Sequence, residues 1–227
     1  MNWKEHWNKV AEKSDPYQQV ARIGGKGEMS VLILEETAAR IGQVLELKSS
    51  DHILDVCCGN GLLTQMILPY CKQITGVDIS EGQIALAQDL TIENIDFKVA
   101  DATGLQSVIS GPFDHVVLYF SFQYLETPAQ AKACIQQMSE LLKPGGRILL
   151  GDVPEREKLK VFYPKQKDRL KYELKRRWGR SLMGRFWSLR ELEAMAHPLG
   201  LSIKRIEQPT HFPYAHYRAD FLLQKAE

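Results

Sequence analysis

Two rhythms alternate along the chain. Short runs rich in apolar residues lie at 53–57, 73–78, 95–100, 115–119 and 147–150, each suited to a strand of a buried sheet. Between them apolar residues recur every three or four positions, the spacing of a helix with one packed face. Trp3, Trp7, Val10 and Ala11 form the first such face. Tyr17, Val20 and Ala21 form a second, after a stop and restart at Asp15-Pro16. Further helices are predicted over 28–46, 81–90, 105–109 and 129–142. Ser80 with Gln83 reads as a capping box, and Ser188-Leu189-Arg190-Glu191 caps one more helix, ended by Pro198-Leu199-Gly200. Strands alternating with helices predict a parallel, doubly wound sheet. The last two strands, 202–207 and 218–224, are joined by a short aromatic loop with no helix, so they must pair antiparallel. The expected fold is α/β: a doubly wound, mostly parallel seven-stranded sheet ending in an antiparallel hairpin.

The densest chemistry follows the first strand. The run Asp55-Val56-Cys57-Cys58 breaks at Gly59-Asn60-Gly61, and Leu62, Leu63, Met66 and Ile67 resume at helical spacing. That is strand, tight turn, helix. Glycine there lets the backbone turn sharply and a ligand approach without a Cβ in the way. Asp55 stands inside the apolar run, where a charge is costly unless it has a partner or a task. The second strand ends in Asp78, about 20 residues past the turn, the spacing at which a carboxylate meets the ribose hydroxyls of a bound nucleoside. A dinucleotide fingerprint asks for a third glycine where this chain has Thr64, which counts against a nicotinamide-dependent dehydrogenase.

With Asp55, Gly59, Gly61 and Asp78 in place, the chain resembles the class I S-adenosylmethionine-dependent methyltransferases of the small-molecule type. The resemblance continues in order through Asp101-Ala102, Phe113-Asp114 and Leu141-Leu142-Lys143-Pro144-Gly145-Gly146-Arg147, covering about residues 50–152 closely. It implies a Rossmann-like methyltransferase fold with S-adenosylmethionine as cofactor. It further implies that Asp55 helps hold the methionine end through the glycine loop, that Asp78 binds the ribose, and that Asp101 faces the adenine amine. Cys57, Ile79, Ala102 and Tyr119 complete the expected cofactor-binding set. Cys57 stands where many members of that family have glycine, which narrows the loop.

The N-terminal 1–27 segment is expected as a helical cover and 28–227 as the methyltransferase domain. In the cover, Tyr17 and Arg22 are expected at the site and Gly24-Gly25-Lys26-Gly27 as its hinge. Within the domain, 154–187 forms a basic lid insertion. Thirteen basic residues against four acids occupy 154–190, and Leu170, Leu174 and Trp178 give its helix one apolar stripe. The resemblance casts this insertion as a lid over the methyl acceptor, with an anionic acceptor as one fit and a solvated helix that binds nothing as another. The whole chain carries a formal charge of only +1, with no global drive toward nucleic acid. No apolar run approaches the roughly 20 residues that span a bilayer, and four cysteines without paired spacing suggest a reducing cytoplasm.

The expected activity is methylation of oxygen or nitrogen on a small, anionic metabolite. Methylation of RNA or protein, or cofactor binding without catalysis, are the alternatives. Methyl transfer is an in-line displacement that needs alignment at about 3 Å and exclusion of water; a base is required only for some acceptors. No Pro-Pro follows the fourth strand, and Gln123 stands where relatives often have a titratable His, so neither adenine-N6-like chemistry nor a His-dependent mechanism is indicated. Tyr17, Tyr124 and His216 are the candidates for a catalytic group, with His211, Tyr214 and Asp152 also within the acceptor side. No His, Asp or Glu spacing points to a metal.

Overall fold

The computed structural model describes residues 1–20 and 31–225. Arg22 and the glycine run at 24–27 lie outside the described residues. Helices α1 (Trp3–Ala11) and α2 (Pro16–Gln19) precede the long α3 (Val31–Leu45). Then come β1 (His52–Val56), α4 (Leu62–Ile67), β2 (Gln73–Asp78), α5 (Glu81–Asp89), β3 (Ile95–Val99), β4 (Phe113–Tyr119), α6 (Pro128–Glu140) and β5 (Leu142–Pro154). The chain finishes with α7 (Leu159–Phe162), α8 (Gln166–Arg177), α9 (Leu189–Ala196), β6 (Leu201–Ile206) and β7 (Arg218–Lys225). Strand order is β3-β2-β1-β4-β5-β7-β6, parallel except for β7, which runs antiparallel to both neighbours. Strand order reverses between β1 and β4, so their carboxyl ends open a crevice.

Alternation along each strand builds a core on both faces. Leu54, Val56, Val116, Leu118, Ile148 and Leu150 point to the side packed by α6 and α9. Ile53, Val117 and Leu149 point to the other, against Leu34, Ala38 and Ile41 of α3. Side-chain caps start the helices where the sequence offers them: Asn2, Asp15, Thr127 and Ser188 each accept a backbone N–H three residues on.

Three local expectations are corrected. The fifth strand runs to thirteen residues rather than four, because Pro144-Gly145-Gly146 bulges without leaving the sheet. Leu142 pairs with Phe113, the register shifts, and Arg147 pairs with His115. Residues 105–109 form only a 3₁₀ turn, Leu105–Ser107. At α5 the Ser80 hydroxyl accepts from the Gln83 N–H, but the Ser80 N–H donates to Asp78 and not to the Gln83 side chain, so the box stays half-formed.

Gly151 in β5 lies flat against the Tyr119 ring, and a Cβ there overlaps the ring. Overpacking of this kind costs about 1–3 kcal/mol. Gly151→Ala is expected to lower the unfolding free energy by that amount, seen as a lower urea midpoint at an unchanged m-value.

Candidate functional site

The crevice beside β1 and β4 is lined by Asp55, Cys57, Gly59, Asp78, Ile79, Asp101, Ala102 and Tyr119, bringing together all of the expected cofactor set except Gly61. Gly61 acts one step back. It holds a left-handed φ of 77°, and a Cβ on it would come within 2.8 Å of the Phe97 ring, so it shapes the turn instead of facing the opening. Cys57 also takes a left-handed φ, 62°, the backbone reason why glycine suits that position.

Asp78 closes β2 and is buried. Its carboxylate accepts the Gly59 N–H at 3.0 Å and the Ser80 N–H at 2.9 Å, tying the glycine turn to the start of α5. Burial pushes its carboxyl upward, and the hydrogen bonds from Ser80, Gly59 and Ile79 oppose that. Asp55 accepts the Thr64 hydroxyl at 2.6 Å, and Thr64 thus uses the third-glycine position to satisfy the acid of β1. Burial pushes the Asp55 carboxyl to about 7, with the Thr64 hydrogen bond opposing and the Asp78 charge adding. Asp101 is exposed and accepts from the Thr103 N–H and hydroxyl.

No lysine or arginine lines this cleft among the described residues, so two buried acids face it without a cation. A carboxylate offers about four lone-pair sites. Asp78 has spare capacity for the hydroxyls of a diol, and the nearby Gln83 Oε1 is buried without a hydrogen-bond partner among the described residues. The residues present therefore fit a ribose-bearing cofactor.

Sequence reasoning predicts a helical cover over 1–27 but does not single out Trp3 and Trp7 for the site. Trp3 and Trp7 of α1 line the cleft with Phe120, Ser121, Tyr124, Leu125 and Gln130. The i, i+4 spacing of Trp3 and Trp7 marks an apolar face, and that spacing alone does not say which residues of a cover reach the cleft. The Tyr124 ring lies 4.4 Å from that of Trp3 and 5.4 Å from that of Trp7, centre to centre. The Trp3 indole donates to Glu126 at 3.1 Å. Asn8 locks α1 to α5: its carbonyl accepts the Ser80 hydroxyl and the Gly82 N–H, and its amide donates to Glu81. Below α2, the Asn60 amide donates to the Pro16 carbonyl and to Gln19 Oε1.

Of the candidate catalytic groups, Tyr124 lies in the cleft. Tyr17 packs instead against the apolar cluster around α3, and His216 is exposed beside Tyr217. His211 is exposed and paired with Glu36. Asp152, buried and with a φ of 57°, bonds Arg218 at 2.7 Å. Asp220 accepts from the Asp152 N–H, the Tyr119 hydroxyl, Gln208 and Arg40. This network braces the end of β4 behind the cleft wall, and Gln123 is buried with its amide donating to the Phe120 carbonyl.

Fold and cleft together fit a nucleoside-bearing cofactor, and residues 53–146 match the family described as "Methyltransferase domain". An uncharacterized methyltransferase of Schizosaccharomyces pombe is 30% identical over 122 residues, 47% of this chain and 40% of that protein, so the chain spans less than half the length of this relative. The ubiquinone biosynthesis O-methyltransferase of Pseudomonas paraeruginosa is 27% identical over 73% of this chain and 71% of its own. The N-methyltransferase NodS of Bradyrhizobium japonicum, solved with S-adenosyl-L-homocysteine, superposes with a TM-score of 0.67 over 100% of both chains at 17% identity. Residues 53–146 thus resemble a methyltransferase domain in sequence, and the whole chain has the fold of the class I S-adenosylmethionine-dependent methyltransferases.

The raised Asp55 carboxyl has a consequence for stability. Its folded-state value, about 7, lies above the unfolded one, so the folded state holds a proton that the unfolded state has already lost. Its contribution is full below about pH 4 and is lost as pH rises toward 7. Urea midpoints of wild type minus Asp55→Asn are expected to fall across that window and to level off above it.

Proposed function

We propose that the protein transfers the methyl group of S-adenosylmethionine to an oxygen or nitrogen of a small acceptor, and that oxygen is the preferred atom. The observation that carries the reading is Asp78, a buried, cation-free carboxylate anchored to the glycine turn with lone pairs to spare. Asp78 and Gln83 would hold the ribose, Asp101 with Ile79 and Ala102 the adenine, and Asp55 with the Cys57–Gly59 backbone the methionine end. The cofactor, when bound, supplies an electrophilic methyl on a sulfonium. The residues of this chain orient the partners and exclude water: Trp3, Trp7, Phe120, Tyr124 and Leu125 form an aromatic and apolar wall around the acceptor side.

The preference for oxygen is supported by the likeness to a ubiquinone biosynthesis O-methyltransferase over most of the chain. The aromatic wall suits an acceptor with a flat, apolar body, and a phenolic hydroxyl, with a pKa of about 10, loses its proton far more readily than an alcohol. An anionic group on the acceptor, as the basic insertion suggests, would be met at the rim, because none of the described basic residues lines the cleft interior.

The test is calorimetric titration with S-adenosylmethionine, S-adenosylhomocysteine and NAD. Wild type is expected to bind the first two and not NAD, and Asp78→Ala to lose both by about 100-fold, the scale of a buried charged hydrogen-bond pair. Binding of NAD alone would overturn the reading.

Tyr124 is proposed as wall and not as base. With a catechol or phenol acceptor, Tyr124→Phe is expected to keep kcat within about tenfold, whereas removal of a general base costs about 10²–10⁴-fold. A loss in that larger range would make Tyr124 the base.

A further inference from the structure

Helix α8 is mounted with its apolar stripe facing outward. Its one buried residue is Tyr172, whose hydroxyl donates to the Gly184 carbonyl and whose ring packs with Phe186, Tyr163 and the neighbouring Tyr217 cluster. Leu170 and Leu174 lie about 200° around the helix from Tyr172 and are 59% and 60% exposed. Trp178 and Leu182, just beyond the helix, are 71% and 61% exposed. The predicted apolar stripe therefore lies on the surface, with Leu182 exposed in the turn beyond it. Scattered exposed leucines need no explanation; a row of them ending in tryptophan does.

The charges around the stripe say what it meets. Lys167, Lys171 and Arg177 are exposed on the outward half of the helix, Lys175 is exposed on its flank nearer Tyr172, and none of the four has an acidic partner among the described residues. The other bases of the helix are engaged elsewhere, Arg169 with the Tyr163 and Pro164 carbonyls and Arg176 with Glu173. The one acid toward the stripe, Glu173, is thereby neutralised. We infer that α8 and the turn after it dock on an anionic lipid bilayer, the helix lying in the plane of the interface. Leucine and tryptophan would enter the acyl boundary while lysine and arginine reach up to phosphate head groups. A second copy of the chain fits less well, because a two-fold contact through this stripe would bring two copies of the same basic surface together. No helix among the described residues is long and apolar enough to cross the membrane, so this would be a surface attachment.

The patch adjoins the cleft. Gly179, next to Trp178, abuts the Met1 amino group, which bonds Glu126, and Glu126 accepts the indole of the cleft residue Trp3. A bilayer under α8 would therefore lie at the cleft's rim, where an apolar acceptor dissolved in lipid is within reach. The docking itself does not rest on the identity of the acceptor.

The experiment is co-sedimentation of the full chain with phosphatidylcholine vesicles and with an equal mixture of phosphatidylcholine and phosphatidylglycerol. Wild type is expected to bind the anionic vesicles at least about tenfold more tightly, and less so at high salt. Leu170→Ser/Leu174→Ser/Trp178→Ser is expected to lose about tenfold or more, and Lys171→Glu/Lys175→Glu/Arg177→Glu to lose the preference for anionic lipid. Brominated lipid should quench wild-type fluorescence more than that of Trp178→Phe, a reading that does not depend on the multiple variants folding. The inference is overturned by failure to bind anionic vesicles, by binding that the serine variant retains, by equal quenching in Trp178→Phe, or by stripe-dependent self-association in place of lipid binding.

Discussion

Much of the molecule is hung on the carboxylate of Asp78. A buried acid without a cation is tolerable only if hydrogen bonds replace its water, and here backbone N–H groups from two separate elements supply them. Because one N–H belongs to Gly59 and the other to Ser80, the same carboxylate sets the glycine turn after β1 against the first turn of α5. Ser80, held in this way, offers its own hydroxyl to Asn8, and α1 is carried over the cleft as a result. Removing the charge at Asp78 would therefore loosen floor and roof together. The site's acid is at once a ligand candidate and a structural staple, and both duties demand that it stay ionised against the upward push of burial.

Roof and floor also communicate through amides. Asn60, in the middle of the glycine turn, donates to Pro16 and Gln19 of α2, while Gln83 of α5 donates to the Gln19 carbonyl. Gln19 itself donates back to the Lys13 carbonyl, closing a chain of side-chain amides between the turn, α5 and the N-terminal helices. None of these bonds is charged, so each is worth only about 1 kcal/mol net and can be broken one at a time. Entry or release of a ligand beneath α1 and α2 would require just such stepwise opening. On the acceptor side the bracing is ionic instead: Asp220 and Asp152 are held by Arg40 and Arg218. The structure thus combines a soft roof with a stiff rear wall.

The parts legible from sequence were those governed by local rules. The glycine turn, Asp55, Asp78, the strand rhythm and the final hairpin follow from turn chemistry, periodicity and connection length, and the structure places all of them where those rules do. The unread parts depend on partners distant in sequence. Pro144-Gly145-Gly146 looked like a break, yet β4 and β7 on either side hold the strand through the bulge. The half-formed capping box at Ser80 turns on Asp78, which takes the Ser80 N–H that the Gln83 side chain would otherwise accept. Tyr17 and Tyr124 could not be told apart by composition; Tyr124 faces α1, and Tyr17 faces α3.

Helix α8 departs from the usual meaning of an apolar stripe. An apolar stripe at i, i+4, i+8 ordinarily marks the buried face, because burial of leucine and tryptophan outweighs most surface interactions. Here the inward position went to Tyr172, whose hydroxyl bonds both Gly184 and Phe186 while its ring joins Tyr163, Phe186 and their neighbours. An aromatic socket with two hydrogen-bonding groups selects a tyrosine over a leucine, since leucine would leave those backbone groups unsatisfied. The stripe is consequently displaced to the surface together with unpaired bases, a combination that water alone does not favour. A helix can be amphipathic toward its own protein or toward something else, and the position of its hydrogen-bonded aromatic residue decides between the two.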